Sequence, residues 1–233
     1  MARTCPFDVC DGTGLLVDET TREASYCRCH AQVVASRRAR GLSAVIPRKY
    51  RDLSFDRPPV TEIRTEVVAP VRRFANKIDE SLNDGKGLWL FGPVGTGKTS
   101  LAMLVSGAAL TAGRSVAIYS LPRLLAEIRD TFEDSSRSTS TEFLDRLAAV
   151  DLLHIDDVGA EKTSEWVLEQ LYSIINTRYE DERSVVITTN LMPDKLTDEI
   201  GARTVSRLEE MCEMLPVTGP DQRAQTYTYP KAS

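Results

Sequence analysis

The residues Gly92-Pro93-Val94-Gly95-Thr96-Gly97-Lys98-Thr99 satisfy G-x-x-x-x-G-K-[ST] without a gap, and this spacing constrains the fold more than any other feature of the chain. A loop of this kind needs a strand before it and a helix behind it. The apolar run Gly87, Leu88, Trp89, Leu90 and Phe91 predicts the buried strand, and residues 100–112, rich in Leu, Ala, Met and Val, predict the helix. Its glycines let the backbone curl so that successive N–H groups point at phosphate oxygens, and the helix N-terminus adds partial positive charge. Lys98 then reaches the β- and γ-phosphates and the Thr99 hydroxyl holds Mg²⁺, with Gly92, Pro93, Val94, Gly95, Thr96, Gly97 and Ser100 forming the rest of the cradle. A glycine turn that binds nothing is the plainer alternative, and the Lys-Thr ending argues against it.

The chain on either side alternates strand and helix patterns. Val67, Val71, Phe74, Ile78 and Leu82 predict one amphipathic helix over residues 64–83, ending in the turn Asn83, Asp84, Gly85. Gly113 stops the helix after the phosphate loop, residues 115–119 read as a second strand, and a helix follows over 122–132. Residues 133–140 read as a polar loop, and a short helix with Phe143, Leu144 and Leu147 leads to an apolar strand over 151–155.

That strand ends in Asp156 and Asp157, the Walker B pattern. An acid at the carboxyl end of a parallel strand beside a phosphate loop can hold the Mg²⁺ shell, and a second can orient a water. Asp156 is assigned to the metal and Asp157 to the water; a plain cap before Gly159 is the alternative. His154 reads as a buried, hydrogen-bonded histidine.

A further helix carries Val167, Leu171, Ile174, Ile175 and Tyr179, and a fourth strand over 184–188 leads into Thr189 and Asn190, a polar end suited to a γ-phosphate. Beyond Pro193 comes a helix containing residues 201–208, with Cys212 in a short helix, then an apolar tail. The fold class expected is α/β, a parallel sheet with helices on both faces and ligands at the carboxyl ends of its strands.

The length of 233 residues accommodates one such domain and a small appendage, and no apolar run approaches the ~20 residues of a membrane span. With no signal-like start, a cytoplasmic location without membrane contact is expected. The net charge of −5 is uneven: residues 1–60 hold 10 Lys/Arg against 7 Asp/Glu, leaving 19 against 27 elsewhere. Any nucleic-acid contact is therefore local.

Cys5, Cys10, Cys27 and Cys29 cluster near the N-terminus. Four thiolates in two close pairs can surround Zn²⁺ and fold a segment too short for its own core, with residues 15–17 and 24–26 making a hairpin. The C-x₄-C and C-x-C spacings depart from the usual pattern, so His30 can substitute for Cys29, and free thiols in a tail are the alternative. The organisation expected is a zinc-binding knuckle over 1–40, a basic linker over 41–60 and an ATP-binding domain over 61–233. Arg37, Arg38, Arg40, Arg48, Lys49, Arg51 and Arg57 fit either nucleic-acid phosphates or a solvated surface.

The phosphate loop, residues 152–157, Thr188-Thr189-Asn190, Ser206-Arg207-Leu208 and residues 219–223 together resemble the AAA+ ATPases of the DnaC/DnaI/IstB group. The cysteine knuckle followed by Ile46, Pro47 and Tyr50 is similar to the bacterial helicase loaders within it. The resemblance implies that Asn190 senses the γ-phosphate, that Arg207 is an arginine finger acting on ATP held by a neighbouring subunit, and that Arg223 is a second sensor. It implies that residues 122–149 form an insertion contacting single-stranded DNA, and that Ser164 and Trp166 line the same path. An aromatic such as Trp166 is also at home in a core. Two departures stand out: only 43 residues follow Asn190, too few for a full helical lid, and Asp157 stands where many relatives carry Glu.

The function this implies is an ATP hydrolase that forms a homo-oligomer with shared ATP sites on single-stranded DNA and loads a replicative helicase, with ATP, Mg²⁺ and Zn²⁺ as cofactors. An IstB-type transposition helper shares the same core. A small-molecule kinase and a nucleotide-dependent adaptor with negligible turnover are further readings, since a phosphate loop alone does not fix function.

Overall fold

The computed structural model describes residues 5, 7–18, 21–39, 41–133, 137–159 and 164–222. Five strands form one all-parallel sheet: β3 (Gly87–Phe91), β4 (Val116–Ser120), β5 (Leu152–Asp156), β6 (Ser184–Thr189) and β7 (Cys212–Pro216), in the order β4-β5-β6-β3-β7. Strands buried on both faces alternate their side chains between two cores. In β3, Leu88 and Leu90 enter one core and Trp89 and Phe91 the other.

Helices cover both faces, as the strand-helix alternation predicts. The Leu88 side packs against α2 (Thr65–Asn76), α3 (Ile78–Asn83) and α4 (Lys98–Thr111). The Trp89 side packs against α5 (Leu121–Glu133), α6 (Arg137–Ala149), α7 (Glu165–Glu180), α8 (Pro193–Ile200) and α9 (Ala202–Met211). Each fully buried Leu, Ile or Phe in these layers contributes about 1.5–3 kcal/mol.

Four local expectations are corrected. The helix over 64–83 is two helices, broken at Lys77, whose φ of −109° and ψ of 33° are not helical; beyond the break Ile78 and Leu82 still enter the core that holds Val71 and Phe74. Residues 137–140 belong to α6 rather than to a loop. Gly201, with φ 86°, separates α8 from α9 instead of lying within one helix, since a left-handed backbone cannot continue it.

The apolar tail is a fifth strand, and Cys212 opens it rather than sitting in a helix. The run Cys-Glu-Met-Leu-Pro has no clean alternation, because β7 is an edge strand with Glu213 and Pro216 exposed. It seats against Gly87, where a Cβ would come within 2.7 Å of Cys212 Sγ. Between Asn190 and Gln222 the described residues form α8, α9 and β7, with no separate helical lid among them.

A fully buried arginine locks the lower edge of the sheet. Arg178 donates to the carbonyls of Leu147 (2.7 Å), Ala148 (3.0 Å), Asp151 (3.3 Å) and Ser184 (2.6 Å), joining the end of α6 to the starts of β5 and β6. Burial lowers its pKa to about 9, and the four carbonyl dipoles stand in for the water it has lost.

Ahead of the sheet, β1 (Leu15–Val17) and β2 (Ala24–Tyr26) form the expected antiparallel hairpin, followed by α1 (His30–Arg38). The basic segment 41–60 lies along the main body. Ser43 accepts from Ile118 N at 2.6 Å and donates from its own N–H to Tyr119 Oη at 2.9 Å, covering the β4 edge. Arg72 donates to Phe55 O at 2.6 Å and stacks over the Phe55 ring, while Val60 is wholly buried. Among the described residues no helix is long and apolar enough to cross a membrane.

Candidate nucleotide-binding site

Strand order reverses around β3, whose neighbours are β6 and β7, and the phosphate loop leaves β3 at that point. Such a switch point opens a crevice at the carboxyl ends of the strands. Here it is a cleft of about 410 Å³ whose lining includes Val94, Gly95, Gly97, Lys98, Thr99 and Ser100 from the loop, and Asp156, Asp157, Thr188 and Asn190 from β5 and β6. The phosphate loop, the two acids after β5 and the polar end of β6 meet in it.

Local bonds shape the loop. Thr96 Oγ1 donates to Pro93 O at 2.9 Å, closing the turn from inside. Gly97 caps α4 with φ 97°, a left-handed conformation that only glycine adopts freely. The nearly buried Lys98 donates from Nζ to Gly92 O (2.7 Å) and Pro93 O (2.6 Å), so the amine is held over the loop. From there a phosphate can take it over without a rearrangement of the backbone.

Asp156 and Asp157 are wired differently. Thr188 Oγ1 donates to Asp156 Oδ1 at 2.7 Å and accepts from the Asp157 N–H at 2.9 Å, so one hydroxyl ties both acids to β6. Among the described residues Asp156 Oδ2 has no protein partner, and Asp156 and Thr99 line the same cleft, a donor set that fits Mg²⁺. Asp157 adopts φ 60°, and its Oδ1 accepts from Asn190 Nδ2 at 2.8 Å. Sequence reasoning placed Thr188 only in a motif string; a threonine in a buried strand carries no signal of this bridge.

His154, two residues before Asp156, is fully buried with Nδ1 2.9 Å from Ser106 Oγ, and burial lowers its pKa to about 4. It is a neutral core residue behind the site.

The sequence also missed the far wall of the cleft. Lys49, Tyr50 and Pro59 from the basic segment and Gln222 from the end of the described chain complete the lining. Gln222 donates from its N–H to Gly95 O at 3.0 Å and from Nε2 to Pro59 O at 3.5 Å, tying loop and wall together. The Asp221 carboxylate lies 1.9 Å from where a Cβ on Gly95 would fall, and Gly95 has φ 80°, so a side chain here would be strained and would displace Asp221. Arg223 lies outside the described residues.

Arg207 does not line the cleft; it sits on α9, beside Tyr179 of α7. Ser164 caps α7, accepting from Val167 N at 3.4 Å. Trp166 is half-buried, packs against the Trp89-side core and lies under Arg129, whose Cζ is 5.7 Å from its ring. The core reading of Trp166 thus matches its packing.

Cys5, Cys10, Cys27 and Cys29 converge with all four Sγ atoms within 4.8 Å of one another. Cys5 and Cys27 are 3.8 Å apart and Cys10 and Cys29 3.4 Å, close to the roughly 3.8 Å edge of a tetrahedron with Zn–S bonds of about 2.3 Å. Backbone N–H groups, Val9 foremost, lower the Cys5 pKa to about 6, while burial and the neighbouring thiols push that of Cys29 up. His30 is not in the group: it starts α1 and stacks on Tyr26 at 4.1 Å, so Cys29 is the fourth ligand candidate.

Residues 77–228 match the family model described as IstB-like ATP binding protein. Among curated relatives, the replicative helicase loader DnaC of Buchnera aphidicola subsp. Schizaphis graminum is 26% identical over 161 residues, 68% of this chain and 64% of that protein. DnaC of Escherichia coli is 31% identical over 117 residues, 50% of this chain and 47% of that protein. The matches thus span less than two thirds of either relative. A solved structure of the DnaC helicase loader superposes with a TM-score of 0.63 at 26% identity, covering 74% of this chain and 100% of that one.

Proposed function

The chain belongs to the IstB-like ATP-binding family, and from that premise we propose that it is an ATP hydrolase that assembles with copies of itself and helps load a replicative helicase onto single-stranded DNA. One observation carries the reading: the cleft holds a phosphate loop, a Walker B pair and a polar sensor, while the conspicuous arginine, Arg207, stands outside it. Among the described residues no arginine lines the cleft, so an arginine finger supplied by a neighbouring copy would complete it.

In this scheme Lys98 exchanges its two backbone carbonyls for the β- and γ-phosphate oxygens. Thr99 and Asp156 would hold Mg²⁺, which when bound neutralises charge on the same phosphates. Asp157, fixed by Asn190, orients a water toward the terminal phosphorus. Because the Asp157 carboxylate is one methylene shorter than the Glu of many relatives, its placement depends on that bond and on its left-handed backbone. The four-cysteine knuckle would hold Zn²⁺ as a structural metal. Single-stranded DNA, the helicase and the cytoplasm enter through the resemblance to the loaders.

A transposition helper is a second reading, favoured by the family model. The curated helicase-loader relatives favour the first.

Mixing inactive variants tests the assembly. Lys98→Ala protein should neither bind nor hydrolyse ATP productively but still donates Arg207. Arg207→Ala protein should bind ATP and turn it over on the order of 10³-fold more slowly. Combined on single-stranded DNA they should recover part of the activity. A mixture that stays inactive although mixed oligomers sediment together overturns the shared site.

A further inference from the structure

Arg207 does not hang loosely from α9. Its Nε donates to Asn176 Oδ1 at 3.3 Å, its Cζ lies 4.3 Å from the centre of the Tyr179 ring, and Nη1 stands 3.7 Å from Glu210 Oε1. Glu210 is itself held from the other side, because Tyr179 Oη donates to its Oε2 at 2.5 Å. That bond to the carboxylate raises the Tyr179 pKa, so the phenol stays a donor.

The geometry follows from helix periodicity. Asn176 and Tyr179 are three apart on α7, and Arg207 and Glu210 are three apart on α9, so each pair shares a face and the two faces meet. Arg203, one turn before Arg207, is exposed and has no such partner among the described residues. An arginine whose only task is solubility needs no such fixtures, since holding a long side chain still has an entropic cost.

The division of contacts matters for chemistry. The aromatic face attracts the guanidinium through its π system, which needs no N–H donor, and Asn176 takes only the Nε–H. The guanidinium also faces the Tyr179 hydroxyl, its Nη1 stands at ion-pair distance from Glu210, and the side chain is still about a third exposed. A phosphate approaching from a second copy can therefore replace Glu210 while ring and amide keep the fork in place.

Resting on the reading of Arg207 as the residue that completes a neighbour's ATP site, we propose that Asn176, Tyr179 and Glu210 are positioning residues. Asn176 and the Tyr179 ring aim the guanidinium, and Glu210 is the counter-charge it leaves on meeting the phosphates of a second copy. Positioning of this kind acts on kcat and leaves ATP affinity of the donor's own cleft untouched.

The test is a double-mutant cycle on the full-length protein, read by steady-state ATP hydrolysis with single-stranded DNA and by equilibrium ATP binding. Tyr179→Leu should lower kcat on the order of ten- to a hundredfold with the ATP dissociation constant unchanged, and Tyr179→Phe, which keeps the ring, should rescue most of the loss. Arg207→Ala with Tyr179→Leu should be no slower than Arg207→Ala alone, because the rack has nothing left to aim. Arg203→Ala should turn over like the parent. Losses that multiply in the double variant, or parental turnover in Tyr179→Leu, overturn the rack while leaving the finger standing. Parental turnover in Arg207→Ala overturns the finger itself.

Discussion

Asn190 donates from Nδ2 to Asp157 Oδ1 at 2.8 Å, joining the carboxyl ends of β6 and β5 across the mouth of the cleft. The residue expected to sense the terminal phosphate and the one expected to orient the water are thus one unit. Under the proposed function, a phosphate arriving at Asn190 would act directly on the Asp157 carboxylate.

Asn190→Ala should consequently reduce turnover on the order of 10²-fold, the scale of losing a positioned polar group at a reacting centre, while ATP binding changes little. Asp157→Asn should leave binding intact and stop turnover. Single-turnover hydrolysis beside equilibrium ATP binding separates the two effects. If Asn190→Ala loses binding and hydrolysis in the same proportion, it contributes to ground-state binding only.

Arg178 gives a prediction about folding rather than chemistry. Truncation to Ala leaves the carbonyls of Leu147, Ala148, Asp151 and Ser184 buried without their donor, and should destabilise the protein by about 3–5 kcal/mol. Denaturant melts of Arg178→Ala against the parent measure this directly. A loss below about 1 kcal/mol would mean that water enters and replaces the guanidinium.

Purified protein should carry one zinc per chain, because Cys5, Cys10, Cys27 and Cys29 already stand at tetrahedral spacing around a point with little apolar core of its own. Cys27→Ser should release the metal and open residues 5–29 to protease. Metal analysis of reduced protein that finds no zinc, with the segment still protected, counts against the knuckle.

These residues differ in how openly the sequence announced them. The phosphate loop and the strand before Asp156 were legible because their patterns are local: a contiguous motif, and an apolar run ending in acids. The fold class followed from the alternation. Thr188, the neighbours Lys49 and Tyr50, and Gln222 reach the cleft from three distant points of the chain, and none of their local patterns announces that they line it. Strand β7 escaped for a similar reason, since its identity comes from pairing with Gly87, Leu88 and Leu90 rather than from its own periodicity. Arg178 looked like any polar helical residue until α6 and β5 closed over it.

Thr188 is the residue whose removal tests this hidden layer best. Its hydroxyl accepts from the Asp157 N–H and donates to Asp156 Oδ1, so it both satisfies a backbone donor at a left-handed residue and fixes the Asp156 carboxylate. Thr188→Val keeps the shape of the buried side chain and deletes only the hydroxyl, leaving two polar groups without a partner, at an expected cost of about 1–3 kcal/mol in stability. The chemical consequence should exceed the structural one, because a displacement of either carboxylate by around 1 Å can lower turnover as much as 10²-fold. Thr188→Ser restores the hydroxyl and should recover most of both losses. Hydrolysis across a Mg²⁺ titration distinguishes the two acids: a raised Mg²⁺ requirement with kcat recovered at saturation points to Asp156, and a low kcat at every Mg²⁺ concentration points to Asp157. A Thr188→Val protein that hydrolyses ATP like the parent at every Mg²⁺ concentration would show that the bridge holds the strands together and takes no part in arranging the acids.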